Sequence, residues 1–222
     1  MPSAFPSPPP SPFTPPLSIP SGYVFESNEI LRVSVQQWCE EDETEVDAGD
    51  IDTWVTSKIT NMDSLFSGLP CNEDVSDWDV KNVISFVDTF SESGFKGDLS
   101  RWNTSSATSF EYMFAYSNFN SDISMWDTSS AKIFDGMFDN TPFNHPVGKW
   151  NVSSARTMDY MFANANTFNQ DLSKWDVRGV TSMDGIFDGT ALSDCNKYKI
   201  AISWMDQSAS FPYFQWEGLG PC

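Results

Sequence analysis

Histidine and serine or cysteine residues are the groups that could do nucleophilic chemistry here, and their distribution argues against it. The sequence contains a single histidine, His145, between Asn144 and Pro146. A nucleophile relay needs a base beside a serine or cysteine, and a metal cluster needs several ligands, so one loop histidine supplies neither. The sequence has no glycine-rich phosphate loop and no CxxC pair. We therefore expect no catalytic residue and no bound cofactor.

The carboxylates recur at fixed places in successive segments, whereas a catalytic pair should be singular and set in a special environment. One set lies four residues before a tryptophan: Asp74, Asp98, Asp122 and Asp171. A second set directly follows a tryptophan: Asp79, Asp127 and Asp176. If the segments stack, these side chains lie ~4.8 Å apart. Turn capping, a solvated acidic face and a weak Ca²⁺ site are the three interpretations, with Asp74, Asp98, Asp122 and Asp171 as the calcium candidates.

A tandem repeat positions these side chains. Its tryptophans recur at a constant interval that is one residue longer only in the last step: Trp54, Trp78, Trp102, Trp126, Trp150 and Trp175. A phenylalanine stands twelve residues after each of them: Phe66, Phe90, Phe114, Phe138, Phe162 and Phe187. A fixed period of this length is typical of a stacked array. We expect both columns to form one core ladder, in which each buried side chain contributes ~1.5–3 kcal/mol.

The local pattern predicts the secondary structure of each repeat. The D-[VLI]-S-x-W segment alternates apolar and polar residues, which favours a short strand, and Met-x-x-Met-Phe favours a helical or 3-10 turn. The fold class predicted from this is a repeat solenoid of right-handed coils, each with one short parallel strand and one helical or 3-10 turn. An asparagine ladder between coils is expected at Asn72, Asn120, Asn144 and Asn169.

The chain divides into four segments. Residues 1–22 form a Pro-rich arm or linker, holding nine of the 14 prolines, and act as a spacer or as a docking strand for a neighbouring chain. Residues 23–50 form an N-terminal cap with a helix over 28–40, and residues 51–190 form about six coils. Residues 191–222 form a C-terminal cap, whose helix starts at Ser193-Asp194. On that helix one apolar face is predicted from Cys195, Tyr198, Ile202 and Met205.

An even number of cysteines, placed near the two ends of the array, suggests an oxidising compartment. Cys39 and Cys71 lie near one end of the array, and Cys195 and Cys222 near the other. Proximity favours these two pairs as disulfides, although four cysteines allow three pairings and free buried thiols are the alternative. The sequons at Asn103 and Asn151 occupy the same column, two repeats apart. They are either glycosylation sites or an accidental product of the repeat.

The charge of the chain restricts its partners. The formal net charge is −19 and the pI about 4.1, which disfavours nucleic acid and anionic membranes. No apolar run approaches the ~20 residues of a membrane span. The numbered chain shows no basic region followed by an apolar core, so no signal peptide is visible in it.

The repeated D-[IVL]-S-x-W-[DN]-[VT]-S motif, with runs such as Phe168-Asn169-Gln170-Asp171, resembles the BspA-like surface protein repeat family over roughly residues 51–190. That family is also filed as a domain of unknown function and is loosely grouped with leucine-rich repeats. The resemblance implies a non-enzymatic extracellular or cell-surface recognition or adhesion scaffold that binds a protein or glycan partner. The alternative is a structural subunit of an extracellular multi-copy assembly, such as a filament, coat or wall layer. In the HPVGKW segment, Pro146 and Gly148 replace the usual Asp and Ser and would interrupt any ligand strip.

Overall fold

A computed structural model of the protein describes residues 19–40 and 51–221. Its regular elements are helix α1 (Asn28–Glu40), a 3-10 helix (Ile51–Thr53), helix α2 (Asp194–Trp204) and a second 3-10 helix (Phe214–Leu219). From residue 54 to 193 the chain runs through turns and loops. Most of the Pro-rich arm (residues 1–18), residues 41–50 of the N-terminal cap and Cys222 lie outside the described residues.

The predicted leucine-rich-repeat-like solenoid with a short parallel strand and a helical turn in every coil is wrong. No strand or sheet forms in residues 19–40 and 51–221. Successive repeats are joined instead by single parallel bridges: Asn61 with Ser85, Ser85 with Ser109, Ser109 with Ile133, Ile133 with Thr157, and Thr157 with Ser182. The D-[VLI]-S-x-W segments, expected to be strands, are irregular and contain one two-residue turn each, and the Met-x-x-Met-Phe segments are mostly turns.

Local turns explain why the D-[VLI]-S-x-W segments do not form strands: Trp102 N donates to Leu99 O at 3.1 Å, and Ser100 N donates to Asp98 Oδ1 at 2.8 Å. Further along each repeat the backbone takes left-handed turns. The residues ten and fourteen positions after each tryptophan all have positive φ: Ser64, Gly68, Asp88, Glu92, Tyr112, Tyr116, Gly136, Asn140, Tyr160, Asn164, Gly185 and Gly189. A left-handed residue cannot continue an extended strand. As a result, alternate amides bond the next repeat, as Phe114 N does to Met137 O (3.1 Å), while the amides between them bond back within their own repeat, as Ala115 N does to Tyr112 O (3.1 Å).

The aromatic columns form the core along the whole array. The six phenylalanines of the predicted ladder are 0–3% exposed. Consecutive rings stack with centroids 5.1–6.0 Å apart and planes within 5–12° of each other. A further phenylalanine stacks on each central ring within the same repeat, as Phe143 does on Phe138 at 4.0 Å. Offset aromatic stacking of this kind stabilises beyond the burial of area alone.

The tryptophans of the predicted core ladder fix the register between repeats. Each of the last five is 1–4% exposed and its indole Nε1 donates to a backbone carbonyl of the preceding repeat. For example, Trp126 Nε1 lies 2.9 Å from Leu99 O. A buried indole N–H must have an acceptor, so a shift of one residue between repeats would leave every one of these donors unsatisfied.

Helix α1 covers the first repeat. Leu31 and Val35 are fully buried, and Trp38 meets Trp54 edge to face at 6.0 Å. A disulfide joins Cys39 of α1 to Cys71, with Cα atoms 5.4 Å apart, as proximity in the sequence favoured. The helix over residues 28–40 is therefore present and is covalently attached to the array.

Helix α2 covers the last repeat through a face that the sequence did not identify. Ser193 caps its first turn by accepting a hydrogen bond from Asn196 N at 3.3 Å, as predicted. The buried residues are Ile200, Ala201 and Trp204, whereas Ile202 of the predicted face is 49% exposed. Trp204 decides this orientation, because its ring stacks on Trp175 at 6.0 Å and its Nε1 donates to Leu172 O. It thus occupies the place of a further tryptophan in the ladder. Cys195 is disulfide-bonded.

Candidate interaction surface

One surface of the array carries exposed tyrosines on left-handed backbone positions. Tyr112, Tyr116 and Tyr160 have φ of 50°, 57° and 57°. Tyr116 and Tyr160 are 55% and 49% exposed. The left-handed region costs an L-residue roughly 1–2 kcal/mol, and only glycine adopts it freely. Glycine fills four of the twelve equivalent positions, so tyrosine is not what the backbone alone would select there.

A row of carboxylates runs beside these tyrosines, nine positions after five of the six tryptophans: Asp63, Glu111, Asp135, Asp159 and Asp184. Within the row, carboxylates accept a hydroxyl and an amide of the next repeat. Asp135 accepts Thr157 Oγ1 and Asp159 N, both at 2.9 Å. Asp159 accepts Ser182 Oγ and Asp184 N, both at 2.6 Å. These bonds hold Asp135 and Asp159 in place between adjacent repeats.

Burial and neighbouring carboxylates raise the pKa of two members of this row, Glu111 and Asp135. Burial raises the pKa of Asp135, and the charge of Asp159 adds to this while the Thr157 hydroxyl acts in the opposite direction. Burial also raises the pKa of Glu111, followed by the charges of Asp135 and Asp88. No lysine or arginine of the described residues forms an ion pair with Glu111, Asp135 or Asp159. Close like charges without a counter-ion disfavour ionisation.

The tyrosine hydroxyls join the same network. A hydrogen bond to Asp139 and the charge of that carboxylate raise the pKa of Tyr116. Burial and the neighbouring charges of Glu111 and Asp135 raise the pKa of Tyr112. We call this surface, made of Glu111, Tyr112, Tyr116, Asp135, Asp139, Asp159 and Tyr160, the acidic-tyrosine face.

The calcium candidates occupy turns on another part of the repeat. Each accepts the backbone amide of the serine two residues on, at 2.8–3.0 Å: Asp74, Asp98, Asp122 and Asp171. These bonds lower the pKa of Asp98 and Asp122. The side-chain and backbone hydrogen bonds from Ser76 lower the pKa of Asp74 in the same way. They confirm the turn-capping interpretation. In the part of the chain that the structure describes, no three His, Cys, Asp or Glu side chains could together hold a metal ion, so the Ca²⁺ interpretation gains no support.

The remaining predicted site residues are also placed by the repeat. Asn103 and Asn151 are exposed, and each accepts the amide and hydroxyl of the serine two residues on; glycan occupancy stays a prediction. His145 Nε2 lies 3.0 Å from Asn120 O, as one contact between repeats. The asparagine ladder forms on the surface: Asn120 Oδ1 accepts Asn144 N, and Asn144 Oδ1 accepts Asn169 N.

The acidic-tyrosine face was missed at the level of sequence, although two signals for it are present there. The column nine positions after tryptophan is acidic in five of six repeats. The columns at ten and fourteen contain glycine and asparagine, the residues that most readily take positive φ. Together they would have predicted left-handed turns beside an acidic row.

These features define a class of protein: a tandem-repeat protein whose aromatic core is stacked from short units of nearly constant length and whose repeated loops carry its surface chemistry. The chain belongs to the family described as "Mycoplasma protein of unknown function, DUF285", whose model matches residues 33–141 and again residues 115–198. Two overlapping matches are expected when one model meets a tandem array. No curated protein and no solved structure matches the chain. None of the helices in residues 19–40 and 51–221 has the length and apolar character needed to cross a membrane.

Proposed function

We propose that this chain is a non-enzymatic extracellular or cell-surface recognition scaffold, related to the BspA-like repeats, which binds a protein partner through the acidic-tyrosine face. The observation that carries the proposal is the exposure of Tyr116 and Tyr160 on left-handed backbone that glycine would fill with less strain. Tyrosine is enriched at recognition surfaces because it offers a large contact area at a low entropic cost.

Charge determines the partner. The face combines tyrosine rings with carboxylates that have no counter-ion among the described residues. An arginine- or lysine-rich protein segment would pair with the carboxylates and place its cations on the rings. The Cys39–Cys71 disulfide supports an oxidising compartment.

Calorimetric titration with hexa-arginine at physiological salt tests this proposal without knowledge of the natural partner. The variant combines Tyr116→Asn with Tyr160→Ser, because Asn140 and Ser64 already occupy the same columns at positive φ. Neither substitution changes the net charge. We expect binding to weaken at least about tenfold, which is ~1.4 kcal/mol. The control is Ile202→Ser, which removes a similarly exposed side chain from α2.

Unchanged affinity in the tyrosine variant would show that the peptide responds only to the net charge, and the acidic-tyrosine face would then be rejected. Light scattering on the isolated chain addresses the alternative, a subunit of a multi-copy assembly. That alternative is favoured by the exposed apolar residues Phe214 and Leu219 in the C-terminal segment. Spontaneous oligomers at micromolar concentration would support the subunit, and a monomer the scaffold.

A further inference from the structure

A notch interrupts the repeat pattern on a different part of the surface. In the repeat of Trp150, Pro146 and Gly148 stand where most repeats have aspartate and serine. A cavity of about 330 Å³ lies at this position, and its lining includes Met125, Pro146, Lys149, Gln170, Asp171 and Lys174. Sites for small ligands start near this volume. The notch shares no residue with the acidic-tyrosine face.

Gly148 is required by the local packing. A Cβ at this position would overlap the carbonyl oxygen of Asp171 in the next repeat. The serine of the other repeats therefore does not fit here, and Pro146 removes the neighbouring carboxylate as well. The missing side chains leave the depression.

Two lysines give the notch a positive charge in a protein whose net charge is −19. Lys149 and Lys174 are both exposed, and neither forms an ion pair with any residue of 19–40 or 51–221. Four other lysines form ion pairs; Lys199, for example, pairs with Asp171 at 3.2 Å. Two adjacent cations without a counter-ion favour an anionic ligand.

The other lining groups favour an anion that also carries hydroxyl groups. Gln170 Nε2 already donates to Asn144 O and Oδ1, at 2.9 and 2.8 Å, so its Oε1 is left to accept. The Asp171 carboxylate, which already accepts Ser173 N and Lys199 Nζ, lines the notch as a second acceptor for a hydroxyl group. Met125, 83% exposed, and Pro146 offer apolar surface to the C–H face of a sugar ring.

We infer that this notch binds a uronic-acid unit of an acidic polysaccharide. The sugar carboxylate lies between Lys149 and Lys174, its hydroxyls donate to Gln170 Oε1 and Asp171, and its apolar face packs on Met125. This goes beyond the proposed function, because it adds a second, independent binding site to the chain.

Titration of the full chain with trigalacturonic acid tests the inference, with maltotriose as the neutral trisaccharide. We expect trigalacturonic acid to bind and maltotriose not to bind. Pro146→Asp restores the residue that most repeats carry and places a negative charge in the notch. It should weaken binding at least tenfold. Lys149→Ala combined with Lys174→Ala should do the same without altering the backbone, whereas Lys132→Ala, an exposed lysine elsewhere, should have no effect.

Several outcomes would overturn the inference. These are absence of trigalacturonic acid binding to the wild-type chain, binding of maltotriose as tight as that of trigalacturonic acid, or wild-type affinity for trigalacturonic acid in both notch variants. Hexaglutamate bound as tightly as trigalacturonic acid would mark the notch as a peptide site and reject the glycan. The variant with Tyr116→Asn and Tyr160→Ser should bind trigalacturonic acid as tightly as the wild type does. The proposal for the acidic-tyrosine face and the proposal for the notch can therefore fail independently of each other.

Discussion

Replacing Phe138 with alanine should remove one ring from the middle of the core ladder. The side chain is fully buried and stacks on Phe114 at 5.8 Å, Phe162 at 5.5 Å and Phe143 at 4.0 Å. A Phe→Ala change in a core costs ~3–5 kcal/mol, because transfer energy is lost and a cavity remains. Stacked partners on both sides place the expected loss in the upper part of this range. A domain has only ~5–15 kcal/mol in total.

Equilibrium urea denaturation, followed by tryptophan fluorescence, measures this loss. Lys132→Ala is the matched control, since Lys132 is exposed in the same repeat and makes no ion pair with a described residue. It should change the free energy of unfolding by less than ~0.5 kcal/mol. Hydrogen exchange should also show earlier opening at Phe114 N and Phe138 N, which bond the next repeat beside the cavity.

Comparable losses for Phe138→Ala and Lys132→Ala would refute the reasoning. So would a loss below ~1.5 kcal/mol for Phe138→Ala, because removing a ring with three stacked neighbours must cost more than this if the ladder is the core.

Three further predictions concern the backbone, the turns and the N-terminal cap. Because φ at Tyr160 is 57°, the Tyr160→Gly variant should be more stable than the Tyr160→Ala variant by ~1 kcal/mol, measured by thermal unfolding. At Ile84, which is not among the positive-φ residues, the alanine variant should be the more stable of the two. The Ser100 amide lowers the folded-state pKa of Asp98, so its stabilisation is present above pH ~4 and is lost as pH falls through the folded pKa. In the Asp98→Asn variant, the free energy of unfolding measured with urea should therefore change less between pH 5 and pH 2 than in the wild type, by a few tenths of a kcal/mol. Reducing the Cys39–Cys71 disulfide, which spans 32 residues, should cost ~2–4 kcal/mol, and α1 should lose its exchange protection first.

The core was predictable from the sequence because its side chains recur at a constant spacing. The columns of Phe66 and Trp78 could be assigned to one ladder, since no single repeat can bury such aromatic side chains alone. The helix over residues 28–40 followed from the helical spacing of its apolar residues, the Ser193 cap from the residues that start helices, and the Cys39–Cys71 pairing from proximity along the chain.

The strands were predicted wrongly because alternation of apolar and polar residues is compatible with turns as well as with extended chain. In the D-[VLI]-S-x-W segments the strand is excluded by local turns, such as the one closed by the bond from Trp102 N to Leu99 O. Elsewhere in the repeat the chain turns through positive φ at positions such as Tyr112 and Tyr116, and tyrosine gives no local indication of positive φ. The buried face of α2 was missed for a similar reason. It is set by the stacking of Trp204 on Trp175, which lies outside the helix in the last repeat of the array.

The sequence by itself therefore determined the repeat, its core residues and the acidic character of the chain, because these depend only on composition and spacing. The tertiary structure decided how the repeats connect, through left-handed turns and hydrogen bonds between them rather than through a sheet. It also decided which charged groups form no ion pair with a described residue, as at Lys149, Lys174 and the carboxylates beside Tyr112. Pairing depends on distances between side chains in different repeats, and spacing along the chain does not fix those distances.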